Sequence, residues 1–232
     1  MVLALFKDFI SLFYPEVCLC CGESLAVQEE FVCTMCIYKL PKTNFHSQAD
    51  NKLSKVFAGR AEVNAAAAWC YYQKGNSVQD LVHELKYKGK KELGVSIGKW
   101  YGYDLKQSLS YEKVEVVVPV PLHKKKLKRR GYNQSAYFAK GLAESMKIKC
   151  LEDGLVRTID TETQTRKSRY SRWENVKDIF SANKVEELRG KQVLLVDDII
   201  TTGATIEACV HALKAIPVAS VSIASIGYTE VA

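Results

Sequence analysis

Apolar residues follow two spacings along this chain. Runs of small, β-branched or aromatic residues fall at 63–72, 114–121, 193–197 and 218–228, and each predicts a strand. Between them the apolar positions recur every three or four residues. Val78, Leu81, Val82 and Leu85 give one apolar face to a helix over 77–86, which Gly89 ends. The same spacing predicts helices over 91–105, 133–147 and 204–215. In the 133–147 helix Ala136, Phe138, Ala139, Leu142 and Ala143 are available for packing. Strands alternating with helices predict βαβ units, hence an α/β fold with a mainly parallel sheet flanked by helices.

The strand at 193–197 carries the most chemistry. Val193, Leu194, Leu195 and Val196 form an uninterrupted apolar run, as a strand buried on both faces requires. Asp197 and Asp198 follow at its carboxyl end, where open α/β sheets bind ligands. Thr201, Thr202, Gly203, Ala204 and Thr205 then supply backbone N–H groups and hydroxyls at the start of the next helix, whose N-terminus favours an anion. Gly203 allows close backbone approach. Ionised carboxylates accept hydrogen bonds from hydroxyls, so adjacent acids before such a turn suit a phosphorylated sugar. The run has neither the glycine-lysine pattern of a nucleoside-triphosphate loop nor the Gly-x-Gly-x-x-Gly of a dinucleotide site.

Size and charge refine this little. A chain of 232 residues suits one α/β domain and a small appendage. The net charge of +7 favours anionic ligands. No apolar run is long enough to span a bilayer. Residues 1–14 are amphipathic: Leu5, Phe6, Phe9, Ile10, Leu12 and Phe13 recur near helical spacing around Lys7, Asp8 and Ser11. They lack the features of a secretory signal, so a short helix docked on the body is expected, ahead of a membrane-surface attachment. A cytoplasmic protein is expected.

Of eight cysteines, Cys18, Cys21, Cys33 and Cys36 form two C-x-x-C pairs. Paired thiolates at this spacing complete a tetrahedral Zn2+ site, and a structural zinc is expected there. Disulfides are the main alternative, but nothing suggests an oxidising compartment. Cys20 is either a spectator or an alternative ligand. Cys70, Cys150 and Cys209 read as small core residues. The chain therefore divides into 1–45, an N-terminal helix and zinc-binding module, and 46–232, the α/β domain.

After the strand at 114–121, six of the seven residues from Lys124 to Arg130 are Lys or Arg. A basic loop joining a buried strand to a helix must lie at the carboxyl edge of the sheet, beside Asp197 and Asp198. Cations there would neutralise a diphosphate. Single-stranded nucleic acid is the competing anion.

The 13 residues from Val193 to Thr205 resemble the phosphoribosyl pyrophosphate (PRPP) motif of type I phosphoribosyltransferases. Further stretches narrow the resemblance: Pro119-Val120-Pro121-Leu122, Arg130-Gly131-Tyr132-Asn133-Gln134, Arg157 with Thr163-Gln164, and Arg172 and Asn175 with Phe180. Together with Leu85-Lys86-Tyr87-Lys88-Gly89 and the cysteine module, they resemble the ComF family, bacterial phosphoribosyltransferase-like proteins linked to competence for DNA uptake.

The resemblance implies a type I phosphoribosyltransferase fold behind a small four-cysteine zinc module. It implies that Asp197 and Asp198 hold ribose hydroxyls and that residues 201–205 hold the 5′-phosphate. Val120, Pro121 and Leu122 would form the pyrophosphate loop, with Arg130 a contact. Arg157, Gln164, Arg172 and Asn175 belong to the flexible loop over 157–180. Mg2+ would accompany PRPP. The Lys-rich stretch departs from the family's more usual arginines, and lysine lacks their bidentate fork. The resemblance leads to a phosphoribosyl-transferring or PRPP-sensing protein with an unnamed acceptor. A non-catalytic alternative grips single-stranded DNA, helped by Arg166, Lys167, Arg169, Arg172, Tyr170 and Trp173, or recruits a DNA translocase or another competence protein through its N-terminal module.

Overall fold

The computed structural model describes residues 15–158 and 179–230. The amphipathic segment 1–14, the basic and aromatic residues at 166–173, and Gln164, Arg172 and Asn175 lie outside the described residues. The elements are α1 (Thr34–Lys39), a 3-10 turn (Phe45–Ser47), α2 (Lys52–Phe57), β1 (Ala66–Tyr71), α3 (Ser77–Tyr87), α4 (Lys91–Lys106) and β2 (Val116–Pro119). They continue with α5 (Lys124–Arg130), α6 (Gln134–Met146), β3 (Lys149–Cys150), β4 (Leu155–Arg157), β5 (Phe180–Ala182), α7 (Val185–Leu188), β6 (Gln192–Ile200), α8 (Ala204–Lys214) and β7 (Ser220–Tyr228).

The main sheet runs β1-β7-β6-β2-β3, and every neighbouring pair is parallel. From β2 the chain moves outward to β3, and from β6 it moves the other way to β7. The reversal falls between β2 and β6, which makes their carboxyl ends the switch point where such sheets open a crevice. The register sharpens this. β2 pairs with β6 from Val116↔Val193 to Pro119↔Val196 and stops there. β6 continues beside β7 to Ile200↔Tyr228. Asp197 and Asp198 therefore lie inside a strand longer than expected, at the level where its β2 neighbour has ended.

The central strands are apolar because both faces are covered: Val193, Leu194, Leu195 and Val196 are each 0% exposed. Helix α6 packs against β2 and β6, and α4 packs on α6. That last contact is unusually close. A Cβ built on Gly98 would lie 2.3 Å from the Phe138 carbonyl oxygen, and one on Gly141 would lie 2.0 Å from that of Val95. Glycine is the residue that lets these two backbones touch.

The outer edge of β1 is covered by the chain leaving the cysteine module. The Thr43 N–H donates to the Trp69 carbonyl at 3.0 Å, and the Tyr71 N–H to that of Pro41 at 2.8 Å. This extended segment pairs the edge strand's backbone groups, which would otherwise face solvent. Asn51 caps α2 through its side-chain oxygen, while its Nδ2 donates to the Ala66 carbonyl at 3.0 Å.

One expectation is corrected, and one element is additional to those expected. The basic stretch after β2 is not a loop but the short helix α5, because His123 caps it by accepting from the Lys125 N–H at 3.1 Å. A small antiparallel pair, β4 with β5, was not foreseen; its strands are three residues each, too short to show a period. Among the described residues no helix is long and apolar enough to cross a membrane.

Candidate functional site

Adjacent residues of a strand point to opposite faces, so the two acids of β6 have separate partners. Asp197 Oδ1 accepts from Ser135 Oγ at 2.8 Å and from the Asp198 N–H at 2.9 Å. Asp198 Oδ1 accepts from the Ile199 N–H at 2.7 Å, and its Oδ2 lies 2.9 Å from Lys86 Nζ. Burial, then the neighbouring charge of Asp198, pushes the Asp197 carboxyl above the usual carboxylate range. The Ser135 hydroxyl, the Asp198 N–H and Lys86 pull it back down.

The phosphate turn follows directly. Thr201, Thr202, Ala204 and Thr205 are exposed, whereas Gly203 is buried. Gly203 takes a left-handed φ of 77° at the start of α8. A Cβ there would also press on Val56 and Phe57 of α2 at 3.0 Å. No side chain caps α8, so its first N–H groups point outward from an 11-residue helix. The turn is held from outside by Arg60, which donates to the Thr202 carbonyl at 3.0 Å and the Val56 carbonyl at 3.2 Å. The same guanidinium grips Glu207 Oε2 of α8 through Nε at 3.1 Å.

Across the crevice, the end of β2 is closed by its own bonds. The Val120 N–H donates to the Val196 carbonyl at 2.8 Å, and its carbonyl accepts from Asn133 Nδ2 at 2.9 Å. Pro121 and Leu122 follow, half-buried. Asn133 is also the cap of α6, through its bond from the Ser135 N–H. Arg130 is committed to its neighbours: Nη1 donates to the fully buried Gln134 at 2.8 Å, and the guanidinium lies 5.3 Å over the Tyr87 ring. The Tyr132 hydroxyl donates to the Leu85 carbonyl. The Arg-Gly-Tyr-Asn-Gln stretch is thus the knot that ties the end of β2, the end of α3 and the start of α6 together, and it brings Ser135 to Asp197.

Arg157 lies in β4 with its guanidinium 5.4 Å over the Phe180 ring of β5. In the chain it precedes the stretch that carries Gln164, Arg172 and Asn175, which lies outside the described residues.

Lys86, Ser135 and Arg60 were not singled out by role from the sequence. The site partners that give them these roles, Asp198, Asp197 and the pair Thr202 and Glu207, lie 112, 62 and 142 or more residues away in the chain, so no local spacing marks them. The one local hint is that Lys86 occupies the last turn of a helix, where a cation is favoured.

Away from the crevice, the sulfur atoms of Cys18, Cys21, Cys33 and Cys36 all lie within 4.8 Å of one another. Sulfurs about 2.3 Å from one tetrahedral zinc would stand roughly 3.8 Å apart, and Cys21 and Cys33 are 3.9 Å apart. All four cysteines are free thiols. Burial opposes ionisation of Cys18, but N–H donors from Cys33, Cys21 and Cys20 outweigh it and bring the thiol down to about 6. The donor set fits a structural Zn2+. Cys20 stands outside the cluster: burial, then the charge of Cys18, pushes its thiol up to about 12, beside Ser77 of α3. Cys70 and Cys209 are fully buried and Cys150 is partly buried, as core residues.

The phosphoribosyl transferase domain family matches residues 133–228, from the Asn133 cap to the end of β7, and so includes the acid pair and the phosphate turn. Competence protein F of Haemophilus influenzae is 33% identical over 121 residues, 52% of this chain. The chain spans about half of that relative's length, 53%. DNA utilization protein YhgH of Escherichia coli K12 is 24% identical over 207 residues, 83% of this chain and 88% of that protein. Among solved structures, a glutamine PRPP amidotransferase from B. subtilis overlays with a TM-score of 0.45 and 22% identity, over 62% of this chain and 30% of that one. The parallel sheet and the matched segment define a type I phosphoribosyltransferase domain. The cysteine module and the similarity to these two relatives support a ComF-type phosphoribosyltransferase-like protein.

Proposed function

We propose that this protein binds PRPP in the crevice between β2 and β6, and that it serves DNA uptake or utilisation. The observation that carries the ligand is the juxtaposition of the acid pair, at the level where β2 has ended, with the uncapped N-terminus of α8. The acids accept the ribose hydroxyls, and the 201–205 turn takes the 5′-phosphate on N–H groups and threonine hydroxyls. The diphosphate then lies toward Pro121, Leu122 and the basic helix α5. Mg2+ accompanying the ligand would supply charge neutralisation to that diphosphate, alongside the cations of α5. In this reading the chain orients C1 of the ribose and holds the leaving pyrophosphate while an acceptor displaces it. The biological setting follows from the names of the two relatives, one a competence protein and the other a DNA utilization protein.

Titration calorimetry with PRPP and Mg2+ tests the reading. The wild-type chain should bind, and Asp197→Asn with Asp198→Asn should abolish binding while the protein stays folded. Undiminished binding in the double variant would remove the site assignment. Pyrophosphate release, screened against nucleobases, nucleotides and single-stranded DNA, then separates transfer from sensing.

A further inference from the structure

Lys86 pairs with Asp198, yet its placement suits it for more than a counter-ion. Its ammonium carries three donors, and among the described residues Asp198 is the partner seen for it, at 2.9 Å. Both side chains are largely out of water, 19% and 14% exposed. A pair this buried is costly to desolvate, and an apolar pair of similar volume often serves stability better. The pair also sits at the mouth of the crevice rather than within a layer of the core. Its delivery there is elaborate: the residue before Lys86 receives the Tyr132 hydroxyl on its carbonyl, and the residue after it stacks under Arg130. One tie comes from the last residue of α5 and the other from the turn that follows it, on the side of the crevice opposite the phosphate turn.

We propose that Lys86 is a ligand-binding residue of this site, whose ammonium bridges Asp198 and the diphosphate of the bound phosphoribosyl ligand. The proposal rests on the PRPP reading above and adds a specificity element to it. The ribose 5-phosphate half of the ligand is held by β6 and α8. The diphosphate half is recognised by a lysine from α3, a helix outside the 133–228 segment that carries the family match. A point charge with rotatable donors suits this task, since it can keep its bond to Asp198 while donating to a phosphate oxygen.

The test compares three probes on the full chain: PRPP, inorganic pyrophosphate and ribose 5-phosphate, each with Mg2+, by calorimetry. Lys86→Met should weaken PRPP and pyrophosphate at least tenfold and ribose 5-phosphate by less than threefold, and Lys86→Arg should recover most of the loss. A purely structural pair would shift thermal stability and weaken all three probes alike, or none of them, and either pattern overturns the proposal. If Lys86→Met fails to fold, Lys86→Gln carries the same comparison. Wild-type protein that binds neither PRPP nor pyrophosphate overturns the PRPP reading and this proposal together. Wild-type protein that binds both, with Lys86→Met binding pyrophosphate equally well, overturns this proposal alone.

Discussion

Ser135 Oγ donates to Asp197 Oδ1 at 2.8 Å, and this bond joins the first turn of α6 to the charged stretch of β6. Ser135 is itself buried, at 3% exposed, so the bond is shielded from water and no solvent molecule readily replaces it. Removing it leaves Asp197 with the Asp198 N–H and the field of Lys86 against the full cost of burial. Ser135→Ala should therefore cost about 1.5–3 kcal/mol wherever Asp197 must be ionised. If PRPP binds, that corresponds to a loss in affinity of roughly tenfold to a hundredfold at pH 8, measured by calorimetry. An unchanged affinity would mean that Asp197 does not need its serine.

The state of Asp197 also sets a pH dependence of stability. Its folded pKa is raised above the unfolded value, so the folded protein binds more protons through the window between the two. Stability then falls as pH rises through that window, and the deficit is complete above the folded pKa. Asp197→Asn removes the titration. It should raise Tm by about 2–4 °C at pH 8, one kcal/mol in a chain of this size, and the gain should shrink toward pH 5. Thermal melts across pH 5–8 give the answer, and a gain that grew toward acid pH would contradict the sign.

Arg60 and Glu207 make a separate prediction about the phosphate turn. Arg60→Met frees the Thr202 carbonyl and the start of α8 together. Affinity for ribose 5-phosphate should fall about fivefold to tenfold, with pyrophosphate unaffected. Glu207→Gln should do part of the same, and the two changes together should cost less than their sum, because they break one contact. A double-mutant cycle that came out additive would show that the pair does not act as a unit.

The contact between α4 and α6 predicts a stability effect with no ligand involved. Gly98→Ala and Gly141→Ala each force a methyl group onto a backbone carbonyl of the facing helix. Each should cost about 1–3 kcal/mol in urea unfolding. The shift of α6 should loosen Ser135, so ligand affinity should fall as well in any variant that still folds.

The cysteine cluster predicts one zinc per chain by elemental analysis. Cys33→Ser should lose it, and Cys20→Ser should retain it, because Cys20 lies outside the group of sulfur atoms. A Cys20 variant without zinc would return that residue to the ligand set.

Much of this architecture was legible in the linear chain because it is local. The strand of β6, the acids within it, the turn after it and the helix α8 are contiguous, and their chemistry lies in the order of residues. The paired cysteines are legible for the same reason, since a chelating knuckle is a short-range object. The alternation of apolar spacings was enough to imply a parallel sheet. Two local readings differ from the structure: six basic residues in seven read as a loop, because charge density masks helix propensity, and the strand read as 193–197 continues to Ile200, because a second consecutive acid, Asp198, breaks the apolar pattern. Tertiary structure alone decided where the crevice opens, because that depends on β2 ending at Pro119 beside a strand that continues. It alone placed Lys86 on Asp198, Ser135 on Asp197 and Arg60 on the phosphate turn. Those contacts join segments far apart in sequence, and they exist only because the packing of α3, α6 and α2 around the sheet brings the side chains within bonding distance.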